Sequence, residues 1–234
     1  MILKVENLKK RYGNFELDIP DLQIEDGEIF GLVGNNGAGK TTFLRLCLDL
    51  IQANEGKILL GDIDVAKSED WKKYTGSYLD EGFLIDFLTP EEYFEFVGSL
   101  YHISAGQIEK SLSRFDDFFT GEILGQRKYI REMSTGNKQK IGIAAAMFID
   151  PQVLILDEPF ANLDPSSRKI LNNLLSNLNK RNNTTMLISS HDLANVTDVC
   201  TRVAILENGK IVGDIQASDK TYDELQKYFE TESS

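Results

Sequence analysis

Through the first two dozen positions apolar and polar residues alternate, the period-2 pattern of half-buried strands. Ile2-Leu3-Lys4-Val5 and Phe15-Glu16-Leu17-Asp18-Ile19 are expected to pair around a turn at Tyr12-Gly13-Asn14. An apolar run, Ile29-Phe30-Gly31-Leu32-Val33, then leads into a glycine-rich stretch. Helical spacing follows it in Phe43, Leu44, Cys47, Leu48 and Ile51. A short strand pair, Lys57-Ile58-Leu59-Leu60 and Ile63-Asp64-Val65, is joined at Gly61-Asp62, a dipeptide suited to tight hairpins.

From Thr89 the period becomes helical. Thr89-Pro90-Glu91-Glu92 combines a capping box with proline at the first helical position. Tyr93, Phe94, Phe96, Val97, Leu100 and Tyr101 follow as one apolar face. Ser104-Ala105-Gly106-Gln107 repeats the start signal, and Ile108, Leu112, Phe115 and Phe119 continue it. After Pro151 the β/α alternation returns. Val153-Leu154-Ile155-Leu156 is apolar without a break, as expected of a strand covered on both faces. Asp164-Pro165 opens a helix carrying Ile170, Leu171, Leu174, Leu175 and Leu178, and Thr185-Met186-Leu187-Ile188 is another buried strand. A turn at Glu207-Asn208-Gly209 joins Arg202-Val203-Ala204-Ile205-Leu206 to Lys210-Ile211-Val212.

This order predicts an α/β protein with a mainly parallel sheet, right-handed crossovers and ligand sites at the carboxyl ends of strands. The 234 residues are expected to form a single domain. Residues 1–88 and 151–234 would make the core with an N-terminal antiparallel β portion, and residues 89–150 an inserted helical lobe.

Charge narrows the partners. Against 25 lysines and arginines stand 37 carboxylates, a formal net charge of −12. With no basic cluster, nucleic-acid binding is not expected, and anionic lipid would repel this surface. No apolar run is long enough to cross a bilayer, and residues 1–6 lack a secretion signal, so a cytoplasmic location is expected. Cys47 and Cys200 show no metal or redox spacing and read as small core residues. The carboxylate-rich end, residues 214–234, reads as a solvated acidic tail.

The chemistry concentrates in Gly34-Asn35-Asn36-Gly37-Ala38-Gly39-Lys40-Thr41-Thr42. Strand, glycine loop, lysine-threonine and helix form the context of a phosphate-binding loop. Its glycines let backbone N–H groups approach phosphate oxygens, and the following helix points its positive end at the same anion. Lys40 would reach the β- and γ-phosphates and the Thr41 hydroxyl would ligate Mg²⁺. The strand ending at Leu156 delivers Asp157 and Glu158 to the ligand edge. The first carboxylate suits a magnesium ion, and the second suits orienting or deprotonating an attacking water.

Together these motifs resemble, over nearly the whole length, the ATP-binding subunit of an ABC transporter. The ordered set is residues 34–42 (phosphate loop), Met133-Ser134-Thr135-Gly136-Asn137 (signature), Leu156-Asp157-Glu158-Pro159 (carboxylates), Ala161-Asn162-Leu163-Asp164 (D-loop) and Ser190-His191-Asp192 (switch histidine). The resemblance implies a P-loop NTPase (RecA-like) core and an Mg²⁺-dependent ATPase. It further implies ATP and Mg²⁺ as ligands, a nucleotide-sandwich dimer with itself or a paired subunit, and an integral-membrane permease on the cytoplasmic face. Its short chain and serine-threonine-glycine signature look most like the exporter-type branch. A non-transport switch of the same architecture is the alternative.

By the same resemblance, Asn35, Asn36, Gly37, Ala38, Gly39, Lys40, Thr41 and Thr42 would hold the phosphates and Tyr12 would stack on adenine. Ser134, Gly136 and Asp164 would address the nucleotide of the opposite subunit. Glu158, His191 and Lys40 would be catalytic, with Thr41, Asp157 and Glu81 at the metal. Glu81 stands where the family usually has glutamine, Thr135 where glycine is commoner, and Asn137 where glutamine is commoner.

Overall fold

In the computed structural model, residues 1–216 are described. The acidic tail expected to reach residue 234 therefore lies for the most part outside the described residues. Two sheets organise the chain. The smaller is antiparallel, ordered β2 (Phe15–Ile24), β1 (Leu3–Tyr12), β4 (Glu55–Leu60), β5 (Ile63–Asp64). The larger runs β10 (Lys210–Gln216), β9 (Arg202–Glu207), β3 (Ile29–Val33), β8 (Thr185–Ser190), β7 (Val153–Leu156), β6 (Thr75–Tyr78). Only the β9–β10 edge of this second sheet is antiparallel. The mixed, mainly parallel sheet expected from the alternation is thus present.

The inner strands β3 and β7 of the larger sheet are apolar throughout because both faces are covered. Phe30, Leu32, Ile155, Leu187 and Leu206 pack toward the antiparallel sheet and the first helix, α1 (Lys40–Cys47). Val33, Leu154, Leu156, Met186, Ile188 and Ile205 pack toward the helical side. That side holds α2 (Pro90–Leu100), α3 (Ala105–Leu112), α4 (Asp116–Phe119), α5 (Thr135–Phe148), α6 (Pro165–Asn182) and α7 (Leu193–Thr197). The capping box on Thr89 forms as anticipated, the Thr89 hydroxyl accepting from Glu92 N–H and the Glu92 carboxylate from Thr89 N–H. Among the described residues no helix is long and apolar enough to cross a membrane.

The first hairpin forms around the expected turn. Leu3 pairs with Ile24 and Tyr12 with Phe15, so residues 3–5 face residues 22–24. The two-residue turn at Gly13-Asn14 fixes this register from its own end, between two strands of ten residues each.

Helix α5 is the deepest-set element of the helical side, with all ten residues from Gln139 to Phe148 buried. It lies flush on β6 because Gly142 has no side chain: a Cβ there would sit 2.2 Å from the Tyr78 ring. Gly142→Ala should therefore overpack this seam at a cost of about 1–3 kcal/mol. The melting temperature would drop by several degrees, roughly 2–4 °C per kcal/mol for a chain of this size. An unchanged thermal melt would contradict the packing.

Candidate functional site

The phosphate loop leaves β3 at Val33 and enters α1 at Lys40. Gly39 makes the turn possible: it caps α1 with φ 111°, a conformation that a side chain would strain. No side chain caps this helix, so the amides of its first turn face the loop's concavity. Lys40 is buried, and its ammonium donates to the Gly34 carbonyl at 2.6 Å and the Asn35 carbonyl at 3.4 Å. The same ammonium lies 3.3 Å from Glu158 Oε1. Its stem fixes a charge at the mouth of the loop.

Facing it are the carboxylates that end β7. Asp157 is buried, and its Oδ2 accepts from the Thr41 hydroxyl at 2.5 Å. Its Oδ1 accepts from the Ser189 hydroxyl of β8. Asp157 thus meets two hydroxyls, while no ion pair among the described residues neutralises it. Adjacent hard oxygens from a hydroxyl and an uncompensated carboxylate fit Mg²⁺, which takes one or two protein oxygens and completes its shell with phosphate and water. No cluster of three or more acidic, histidine or cysteine side chains able to hold a metal occurs among the described residues. A metal here would depend on the nucleotide for its remaining ligands.

Glu158 occupies the left-handed region at φ 47°, uncommon for a residue with a side chain. Its N–H donates to Ser189 Oγ at 3.0 Å. Its Oε2 accepts the His191 N–H at 3.2 Å and lies 2.8 Å from His191 Nδ1. Lys40, Glu158 and His191 form one continuous polar chain at the carboxyl edge of β3, β7 and β8. Ordinary β-sheet geometry delivers them there, since these strands are parallel neighbours.

The remaining sequence-predicted residues lie around this centre. Tyr12 sits at the hairpin tip, half exposed, with the Lys10 ammonium 5.0 Å from its ring centre. Its strand partner Phe15 contacts the Gly39 position, which sets the hairpin beside the phosphate loop. Ser134 caps α5, its hydroxyl accepting from Asn137 N–H at 3.2 Å. Gly136 lies against the Asn162 carbonyl. Among the described residues no hydrogen bond links Ser134 or Gly136 to residues 34–42. Asp164 caps α6, accepting from Ser167 N–H at 3.0 Å and from the Ser167 hydroxyl at 2.6 Å. Those bonds hold its carboxyl below the usual range. No hydrogen bond among the described residues joins Glu81 to Thr41 or Asp157; its carboxylate pairs with Lys138 of α5 at 3.6 Å.

The sequence profile of the ABC transporter family matches residues 17–161. The chain belongs to the ABC transporter family. A Synechocystis ABC transporter ATP-binding protein is 31% identical, covering 98% of this chain and 64% of the relative. The methionine import ATP-binding protein MetN of Clostridioides difficile is 31% identical over 92% of this chain and 69% of its own length. The chain thus spans about two thirds of the length of these relatives. A solved ATP-binding subunit of an ABC transporter superposes with a TM-score of 0.84 at 25% identity, covering 98% of this chain and 93% of that one. A cassette solved as a dimer in a post-hydrolysis state with ADP and Pi shares the fold, with a TM-score of 0.81 at 22% identity over 92% of this chain and 99% of that one.

In this ABC cassette, a member of an ATPase family, three contributors to the site were not singled out from sequence. Ser189 joins Asp157 to the Glu158 backbone, Gln139 holds the loop after β7, and Gly209 ties the phosphate loop to β2. The Gly209 N–H donates to the Ala38 carbonyl at 2.9 Å, and its carbonyl accepts from Asp18 N–H at 2.8 Å. Gly209 alone left a sequence signal, as part of the Glu207-Asn208-Gly209 turn; Gln139 stands among Asn137, Lys138 and Lys140 with nothing to set it apart. Both cysteines are buried, and burial pushes their thiols far above the ordinary range, in keeping with packing roles.

Proposed function

We propose that this cassette binds and hydrolyses Mg-ATP as the motor of a membrane transporter. The convergence of Lys40, Thr41, Asp157, Glu158 and His191 on one sheet edge carries this reading. Residues 35–42 cradle the phosphates with backbone amides, and Tyr12 stacks on adenine. Lys40 exchanges its loop carbonyls and Glu158 for the β- and γ-phosphates. Thr41 and Asp157 hold Mg²⁺, with Glu81 able to reach it only by leaving Lys138. When bound, that ion neutralises charge on the transferring phosphoryl group. Glu158, released from Lys40, orients the attacking water and takes its proton, while His191 donates to the γ-phosphate.

Ser134, Gly136 and Asp164 complete the site of a second copy across a nucleotide-sandwich dimer. The absence of any bond from Ser134 and Gly136 to their own phosphate loop supports this, as does the dimeric cassette of the same fold. ATP then holds together two acidic protomers that repel one another, and hydrolysis releases them. The helical lobe passes that motion to an integral-membrane permease, which places the cassette on the cytoplasmic face of the membrane. Export is the direction implied by the Ser134-Thr135-Gly136 signature. One of the relatives is a methionine import ATP-binding protein, so we assign direction to the permease.

Phosphate release from Mg-ATP, abolished by a chelator, is the expected result for the purified chain. An inactive chain would reject the ATPase assignment. Co-purification with a multi-span membrane protein supports transport, whereas association with ribosomes or DNA would replace it with the non-transport switch.

A further inference from the structure

We propose that Gln139 is a positioning residue for hydrolysis, acting through the backbone that aims Glu158. The inference rests on the ATPase reading above and extends it to a residue remote from the nucleotide. Gln139 opens the buried run of α5 and is itself buried. Its side-chain amide donates to two successive carbonyls, Glu158 at 3.2 Å and Pro159 at 2.7 Å. Its Oε1 accepts from the Asn162 side chain at 3.3 Å. One side chain thus spans the whole loop from the proposed general base to the D-loop.

The loop requires such a bracket. β7 ends at Leu156, so the carbonyls of residues 158 and 159 lie beyond its ladder. Pro159 has no N–H to offer. Glu158 adopts φ 47°, a conformation that persists only when its surroundings over-determine it. Three fixtures do so: Ser189 Oγ accepts the Glu158 N–H, and the Glu158 carbonyl accepts from the Gln139 side chain and from the Ala161 N–H at 3.1 Å. The peptide units flanking the Glu158 Cα are therefore clamped from β8 on one side and α5 on the other. Helix α5 is a firm anchor because Gly142 seats it directly on Tyr78. Its N-terminus carries Ser134 and Gly136, so the same rigid rod joins the signature to the Glu158 loop.

Gln139→Met keeps length and approximate volume but removes both donors. In Mg-ATP phosphate release by the full chain, kcat should fall about 10–100-fold with KM changed less than about threefold, the mark of misaligned chemistry with retained binding. In a Glu158→Gln background the same substitution should alter the residual rate less than about twofold, because residues acting as one unit are not additive. A merely structural glutamine would give the same fold-loss in both backgrounds, and that result would overturn the proposal. So would wild-type kcat in Gln139→Met. Should Gln139→Met fail to fold, Asn162→Gly supplies the test: Asn162 is exposed at φ 55°, which glycine tolerates. It should lower kcat about 3–10-fold by freeing the Gln139 amide to turn, and only when Glu158 is present. An unchanged rate there would likewise reject the bracket. The unsubstituted chain is assayed alongside, and hydrolysis by it separates failure of the bracket from failure of the ATPase reading.

Discussion

Replacing Glu158 with glutamine is expected to slow steady-state hydrolysis by roughly 10²–10⁴-fold, the span of a lost general base, while leaving Mg-ATP affinity near wild type. The geometry predicts this split. Glutamine keeps an oxygen to accept the His191 N–H and keeps the backbone bond to Ser189, so the loop holds its shape. What disappears is the charge that draws a proton from water. The ionic contact with Lys40 also goes, which frees that ammonium for phosphate rather than competing with it. Binding and single-turnover hydrolysis measured on the same preparation separate the two effects. Turnover equal to wild type would remove Glu158 from the chemistry.

The second large effect is the opposite split. Lys40→Ala should weaken Mg-ATP binding by roughly 10–150-fold, the equivalent of losing one charge-assisted hydrogen-bonded contact of about 1.5–3 kcal/mol. Lys40 is only 6% exposed, so it is already desolvated and oriented before nucleotide arrives. Its carbonyl contacts within the loop are exchanged for phosphate without new ordering of the side chain. Removing it also leaves Glu158 Oε1 facing incoming phosphate with no cation between them, which adds repulsion to the lost attraction. Titration with a non-hydrolysable analogue reads the change directly. Retention of full affinity would contradict the assignment of this loop.

The two substitutions probe the halves of one polar chain, and their contrast tests whether binding and chemistry are divided as its geometry suggests. In the proposed mechanism Lys40 carries charge toward the nucleotide, while Glu158, beside His191, serves the attacking water. Gln139 stands behind Glu158 and touches neither, so its effect is expected on rate alone.

Much of the fold was legible because it follows from local patterning. Unbroken apolar strands announced a sheet covered on both sides. The Thr89 and Asp164 caps, each beside a proline, marked helix starts that the structure reproduces. The first hairpin was legible as a pair of strands but its register was not, because alternation fixes which face a residue takes but not which partner it meets. The turn at Gly13-Asn14 settled that from its own geometry. Glu81 shows a different limit. Its carboxylate pairs with Lys138, a cation 57 residues further along whose proximity no local pattern reveals.

The sequence by itself placed the glycine loop, the Asp157-Glu158 pair and His191 at the ends of β3, β7 and β8, because each is recognised by residue type at short spacing next to an apolar strand. Tertiary structure alone decided how these are held. Ser189 bridges two neighbouring carboxylate residues from a different strand, and Gln139 reaches back from the signature helix to carbonyls 19 and 20 positions later. Hydrogen bonds of this kind depend on where separate elements pack. That placement is set by features such as the bare Cα of Gly142 against Tyr78, which leave no periodic trace in the chain.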